Sequence, residues 1–158
     1  MRILIGITAG ISAYKIPLLI RKFIKEGAEV RCIMTPDARD FVSPLVVSTL
    51  SKNPVGIEFW DKESGLWNNH VAYGEWADIF LIAPCTANTL NKLAQGACDN
   101  LLMATYLSMR NRTMISPAMD LEMYQHPTVK RNIEQVTADG VFVIPPDHGE
   151  LASGLSGE

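Results

Sequence analysis

The sequence predicts one α/β domain, a doubly wound parallel sheet with helices on both faces, and three observations predict it. Short β-branched runs alternate with amphipathic stretches along the whole chain. Glycines and small polar residues gather just beyond the expected strands, at the edge where open parallel sheets take up ligands. The length, 158 residues with 47% hydrophobic and 20% charged, suits one domain with a proper core and is short for two.

Taken in order, residues 2–8 (RILIGIT) read as a buried strand. Ser12 is placed to cap the next helix, in which Ile16, Leu19, Ile20, Phe23 and Ile24 share one face, and Gly27 ends it. A second strand covers 29–34. Thr35 and Pro36 lead into a helical stretch at 38–42, a helix at 43–50 and a short third strand near Val55. Residues 60–74 have no clean period and many turn formers, so the segment carrying His70 reads as a loop. A central strand at 79–83, helices at 86–94 and 100–109, a strand at 113–116, a helix at 127–139 and a strand at 141–144 complete the alternation. No repeat, low-complexity tract or internal linker interrupts it.

Composition narrows the function classes. The formal charge is −3 and neither Lys nor Arg forms a run, which argues against capture of nucleic acid or an anionic membrane surface. Small ligands or protein partners remain. Cys32, Cys85 and Cys98 are odd in number and follow no disulfide framework, which points to a reducing, cytoplasmic setting. The apolar opening at 3–7 is too short for a membrane span and lacks the parts of a signal peptide. No metal is expected.

Gly10, Ser12, Thr35, Thr86, Asn88, Thr89 and Asp120 all fall just past expected strand ends, so one site could gather them. The turn Thr8-Ala9-Gly10-Ile11-Ser12 could hold a phosphate on backbone N–H groups and a helix dipole. It matches neither GxGxxG nor GxxxxGK[ST], and a Gly before a Ser cap is also ordinary turn chemistry; both readings stay open. In Ala83-Pro84-Cys85-Thr86-Ala87-Asn88-Thr89, capping explains one polar side chain but not all three, which suits a polar heterocycle or a phosphate ester. Lys92 reads as a solvated face, and Asp99 as the cap of the helix that starts near Asn100. Cys85 reads as a small packed residue. His126, before Pro127, reads as a packing or interface residue and His148 as surface.

Several linked motifs then give a specific resemblance. His70-Val71 with Trp76-Ala77-Asp78, APCTANTLNKLAQGACDNLL from Ala83, and Pro117-Ala118-Met119-Asp120 with Met123, His126 and Pro127 resemble the flavin-containing cysteine decarboxylases. Their order is most similar to the phosphopantothenoylcysteine decarboxylase domain of bifunctional coenzyme A biosynthesis proteins, and the match runs from GITAGISAYK to Gly149-Glu150-Leu151-Ala152-Ser153-Gly154.

The resemblance implies a Rossmann-like, flavodoxin-like three-layer sandwich over 1–158 that binds FMN near a subunit interface, in a trimer or a dodecamer. It implies flavin contacts from Gly10, Ile11, Ser12, Thr35, Thr86, Ala87, Asn88, Thr89 and Ala118. Asp120, Met123, Leu151 and Ala152 are implied at the substrate, with His70 catalytic. The implied reaction is decarboxylation of 4'-phosphopantothenoylcysteine to 4'-phosphopantetheine by thiol oxidation, CO2 loss and re-reduction. An imidazole titrating near pH ~6.5 suits the proton role. The end at Glu158 matches a bifunctional protein whose synthetase domain has been removed.

Two departures from the family pattern bear on chemistry. Asp120 stands where many members carry Asn, replacing an amide by a group that only accepts when ionised. Ser153 stands where they carry a proton-donating Cys, and a hydroxyl is a far weaker acid than a thiol with pKa ~8.5. The final reduction is then expected to be impaired or rerouted. The alternatives are a relative acting on peptidyl cysteine, a flavin prenyltransferase, and a non-catalytic regulatory flavoprotein.

Overall fold

The computed structural model describes residues 1–147 and, for the backbone alone, 149–150 and 156–157. β1 (Arg2–Ile7) divides its side chains between two layers. Ile3, Ile5 and Ile7 pack with Ile16, Ile20 and Val47 on one side, while Leu4 joins Phe80, Leu101 and Leu102 on the other. That alternation of two apolar faces is what a parallel strand covered on both sides requires.

The chain continues through α1 (Ile16–Lys25), β2 (Glu29–Met34), α2 (Pro44–Ser51), β3 (Val55–Gly56), α3 (His70–Trp76), β4 (Ile79–Cys85) and α4 (Ala87–Gln95). Then follow α5 (Leu101–Leu107), β5 (Arg112–Pro117), α6 (Leu121–Gln125), α7 (Pro127–Ala138) and β6 (Phe142–Val143). β7 (Gly149–Glu150) and β8 (Ser156–Gly157) pair antiparallel, apart from the main sheet. The six-stranded sheet has the order β3-β2-β1-β4-β5-β6 and every neighbouring pair in it is parallel. The predicted doubly wound fold is therefore present. α1 and α2 cover one face; α3, α4, α5 and α7 cover the other.

This order puts the topological switch between β1 and β4. The chain leaves β1 toward α1 and leaves β4 toward α4, on opposite faces, which is the arrangement that in open parallel sheets marks the ligand edge at the C-terminal ends of these two strands. The rim there is laced by hydrogen bonds. Thr35 N–H donates to Ile7 O (3.0 Å), Ala118 N–H to Cys85 O (3.0 Å) and Ile144 N–H to Ile115 O (2.9 Å). The turns after β2, β1, β4 and β5 thus form one shelf.

Local chemistry corrects several expectations. Ser12 does not cap a helix: residues 11–15 form a 3₁₀ turn with Gly10 at its N-cap, and α1 starts only at Ile16, where Pro17 favours the first turn. The stretch expected at 38–42 is likewise a 3₁₀ turn, Pro36–Asp40. Asp99 does not cap α5. Asn100 Oδ1 does so by accepting from Met103 N–H (2.8 Å), and Asp99 instead pairs with Lys92 (2.8 Å). α6, absent from the sequence reading, is a single turn of helix after the Asp120 position. His126 Nδ1 accepts from Thr128 N–H (3.2 Å) and so caps α7.

The segment expected to be a loop through Gly74 ends at Asn69, because α3 begins at His70. Gly74, which obscured the helix in the sequence, is demanded by packing: a Cβ there would collide with the Ser108 carbonyl oxygen at the end of α5. No helix among the described residues is long and apolar enough to cross a membrane.

Candidate cofactor and active site

The unpartnered polar atoms of the molecule point to the site. Among the described residues, three buried side-chain polar atoms lack a hydrogen-bond partner: Ser12 Oγ, Thr35 Oγ1 and His70 Nδ1. A buried hydroxyl or imidazole nitrogen left unpaired is unfavourable by about 1–3 kcal/mol, so native structures rarely keep one without a reason. All three are residues that the sequence singled out.

Ser12 and Thr35 follow β1 and β2 at the rim. Ser12 sits in the 3₁₀ turn, where Gly10 N–H donates to Thr8 O and Ala13 N–H to Gly10 O (both 2.9 Å). These bonds hold the turn without calling on the Ser12 hydroxyl, which is left without a partner. Thr35 has an extended backbone and is 9% exposed; its N–H is tied to β1 while its hydroxyl has no partner. Gly10 lies against the second turn, since a Cβ at position 10 would be 3.4 Å from Thr86 Cγ2. Ile11 is exposed beside them.

The turn after β4 behaves differently. Thr86 Oγ1 accepts from Thr89 N–H and meets Thr89 Oγ1, both at 3.3 Å, so helix capping occupies two of the three polar side chains rather than one. Asn88 is exposed and its amide is unbonded among the described residues. Ala87 and Ala118 add small, half-buried walls. Cys85 is wholly buried, and burial pushes its thiol up to about 12, so it packs as a neutral side chain. Cys32 is in the same condition.

His70 is fixed by the two asparagines before it. Asn68 Nδ2 donates to Glu58 O (2.6 Å), and Asn69 Oδ1 accepts from Ala72 N–H (3.1 Å), making Asn69 the N-cap and His70 the first helical residue. α3 leads directly into the start of β4 and runs against the strands, so its first residue faces the C-terminal rim. Tyr73, one turn below, lies over Gly56, which pairs with Ile33 near the end of β2. Trp67 meets the imidazole edge-on, with centroids 5.6 Å apart and planes at 76°.

Asp120 occupies the N-cap position of α6 but its carboxylate makes no capping bond, and Met123 is exposed on that helix. Leu151, Ala152 and Ser153 lie outside the described residues, as does His148. Sequence reasoning missed Trp67, whose signal was an aromatic three residues before a histidine. It also missed Thr8, a hydroxyl closing an otherwise apolar strand. No group of three His, Cys, Asp or Glu side chains among the described residues is placed to hold a metal ion.

Open hydroxyls, free backbone in a tight turn and an uncharged amide on one shelf fit a phosphate ester joined to a polar heterocycle. A family model described as Flavoprotein matches residues 1–156. The chain belongs to the flavoprotein family. Two curated relatives place this flavoprotein further. It is 50% identical over 117 residues, 74% of the chain, to a cysteine/cysteine sulfinic acid decarboxylase from an unknown prokaryotic organism. It is 39% identical over 156 residues, 99% of the chain, to the coenzyme A biosynthesis bifunctional protein CoaBC of Bacillus subtilis. The chain spans only 33% and 38% of the length of these relatives.

Two solved structures are similar throughout. The FMN-dependent cysteine decarboxylase SpaF superposes with a TM-score of 0.86 at 31% identity, covering 100% of this flavoprotein and 90% of SpaF. A cysteine-to-serine variant of a PPC decarboxylase, in complex with pantothenoylaminoethenethiol, superposes with a TM-score of 0.83 at 30% identity, covering 99% and 87%.

Proposed function

We propose that this flavoprotein binds FMN at the rim between β1 and β4 and decarboxylates the cysteinyl carboxylate of 4'-phosphopantothenoylcysteine, yielding 4'-phosphopantetheine for coenzyme A biosynthesis. The observation that carries the reading is the orphaned set of Ser12 Oγ, Thr35 Oγ1 and His70 Nδ1. FMN, when bound, supplies a two-electron acceptor that takes a hydride from a thiol-bearing carbon and later gives it back.

The chain's own groups do the rest. Ser12 Oγ and the backbone of the Gly10–Ile11–Ser12 turn hold the phosphate, and Thr35 Oγ1 donates beside it. Asn88, Ala87 and Ala118 line the heterocycle, with Thr86 and Thr89 keeping the start of α4 rigid behind them. His70 accepts the thiol proton; Asn69 and Trp67 fix its ring, so that little reorganisation is needed when substrate arrives. Asp120, with no partner of its own among the described residues, faces the amide-bearing arm of the substrate, where a carboxylate can accept an N–H.

Ser153 is the proposed partner in the last protonation, and as a weak acid it slows or reroutes that step. The PPC decarboxylase variant found with pantothenoylaminoethenethiol, a dehydrogenated thiol, supports the idea that serine chemistry and a stalled reduction go together.

The working form is a homo-oligomer, a trimer or a dodecamer, with FMN close to the subunit interface. In support, Ile11, Tyr14 and Leu18 on one stretch, and Leu45 and Val46 on α2, are exposed apolar side chains on the face where α1 and α2 pack together. The enzyme acts in the cytoplasm, a setting consistent with the free thiols of Cys32, Cys85 and Cys98. A second reading has free or peptidyl cysteine as the substrate; 50% identity to a cysteine/cysteine sulfinic acid decarboxylase favours it.

The test is to load purified protein with FMN, supply phosphopantothenoylcysteine, cysteine or a peptide ending in cysteine, and follow CO2 and thiol products by mass spectrometry. The first substrate is expected to react alone, with some dehydrogenated product that Ser153→Cys reduces in amount. Turnover of only the other substrates moves the assignment to them. Failure to take up FMN sinks it.

A further inference from the structure

The β1–β4 ladder stops short of the C-terminal rim. The two strands pair from Ile3↔Ile79 to Gly6↔Ile82 and no further, and β4 shifts register against β5 between Ile82 and Cys85. Beyond Ile82, Pro84 O and Thr86 N–H flank Cys85 on the chain. In a parallel sheet these are the acceptor and donor that a neighbouring strand residue would use. Neither lies within the β1–β4 ladder, which ends at Gly6↔Ile82.

Thr8 fills that gap with its side chain. Its hydroxyl donates to Pro84 O (2.5 Å) and accepts from Thr86 N–H (3.2 Å). Thr8 is fully buried, so both bonds are made away from bulk solvent. At this size a hydroxyl plays both parts from one atom far better than a thiol, which donates and accepts only weakly. Thr8 also governs its own turn, because its carbonyl accepts Gly10 N–H (2.9 Å). From Thr8 the connection runs on: Thr86 N–H to Thr8, then Thr89 N–H to Thr86 Oγ1 at the first turn of α4.

We propose that Thr8 is a positioning residue for the cofactor: its hydroxyl replaces a missing backbone rung and so holds the Ser12 turn and the Thr86–Thr89 turn at the spacing that FMN needs. The proposal rests on the flavin reading above. Thr8 does not touch the cofactor. It acts through Gly10 and Thr86, which lie so close that a Cβ on Gly10 would be 3.4 Å from Thr86 Cγ2.

The test uses the full chain as parent, Thr8→Val, Thr8→Ser and, as a control, Thr105→Val. Thr105 is also fully buried and donates to Leu101 O (2.8 Å) within α5, away from the rim. FMN affinity is read by flavin fluorescence titration, folding by circular dichroism and melting. Thr8→Val is expected to weaken FMN binding by about 10- to 100-fold, since two buried backbone groups lose their partner. Thr8→Ser is expected to stay within about threefold of the parent, and Thr105→Val to lose stability without loosening FMN. Thr8→Val binding FMN like the parent, or Thr105→Val loosening it equally, overturns the proposal.

Amide hydrogen exchange on the FMN-free parent provides a measurement that no variant can spoil. The Thr86 N–H is expected to exchange slowly; exchange as fast as in an open loop overturns the rung. A parent that refuses FMN, with Thr86 protected, overturns the flavin reading while leaving the rung in place.

Discussion

The two ends of the same sheet are built on opposite terms. At the N-terminal end a set of polar groups is mutually paired: Arg2 N–H and Nη2 both donate to the Asp78 carboxylate (2.7 and 2.8 Å), Asp78 N–H returns to Arg2 O, and Asn111 Nδ2 donates to Ala77 O (2.9 Å). At the C-terminal end Ser12, Thr35 and His70 hold buried atoms without partners. The first end has its hydrogen bonds made within the chain, and the second leaves buried donors and acceptors unmade, as the proposed flavin site requires. Substitutions at the two ends should therefore separate binding and catalysis from folding.

The sharpest separation is expected at His70. His70→Asn should lower CO2 release by about 100-fold or more, the usual weight of a positioned acid or base, while FMN affinity and the melting temperature stay near the parent values. Parent-like turnover would remove the imidazole from the chemistry. Ser12→Ala should come next, weakening FMN by about tenfold and leaving the unliganded protein as stable as before or slightly more so, because an unpaired buried hydroxyl is lost. Its counterpart at the other end, Asn111→Ala, should do the reverse: a loss of about 1 kcal/mol in urea unfolding and unchanged flavin affinity. If both variants move the same observable, the contrast fails.

The smallest effect concerns acid. Arg2 beside Asp78 holds that carboxyl below its ordinary range, chiefly through the side-chain hydrogen bond. A depressed carboxyl binds protons less readily when folded, so its contribution is complete above the unfolded value and fades as pH falls through the folded one. The pair is exposed and the effect screened. The urea midpoint should fall slightly more steeply below pH ~4 in the parent than in Asp78→Asn, with FMN affinity at neutral pH the same in both.

Much of this architecture was legible from periodicity. The strand at 79–83 and the helix face of Ile16 and Ile20 are written in side-chain spacing, which depends only on nearby residues. The α3 helix was not legible, because Gly74 looks like a breaker until α5 is seen pressing against it. Ser12 was misread as a cap for a related reason: a serine after glycine has the composition of a cap, and only the 3₁₀ geometry of 11–15 shows its hydroxyl left over. Asp99 and Asn100 are neighbours of equal capping ability, and only the fold shows that Asn100 caps while Asp99 pairs with Lys92.

By itself the sequence determined the alternation of strands and helices, the apolar faces, and the placing of polar residues after strands, all consequences of local period and turn chemistry. Tertiary structure alone decided the strand order, which brought the turns after β1 and β4 side by side, and the sharing of hydroxyls between them. The reason is range. A hydroxyl's partner depends on what the fold brings near, and for Thr8 those partners lie 76 and 78 residues along the chain.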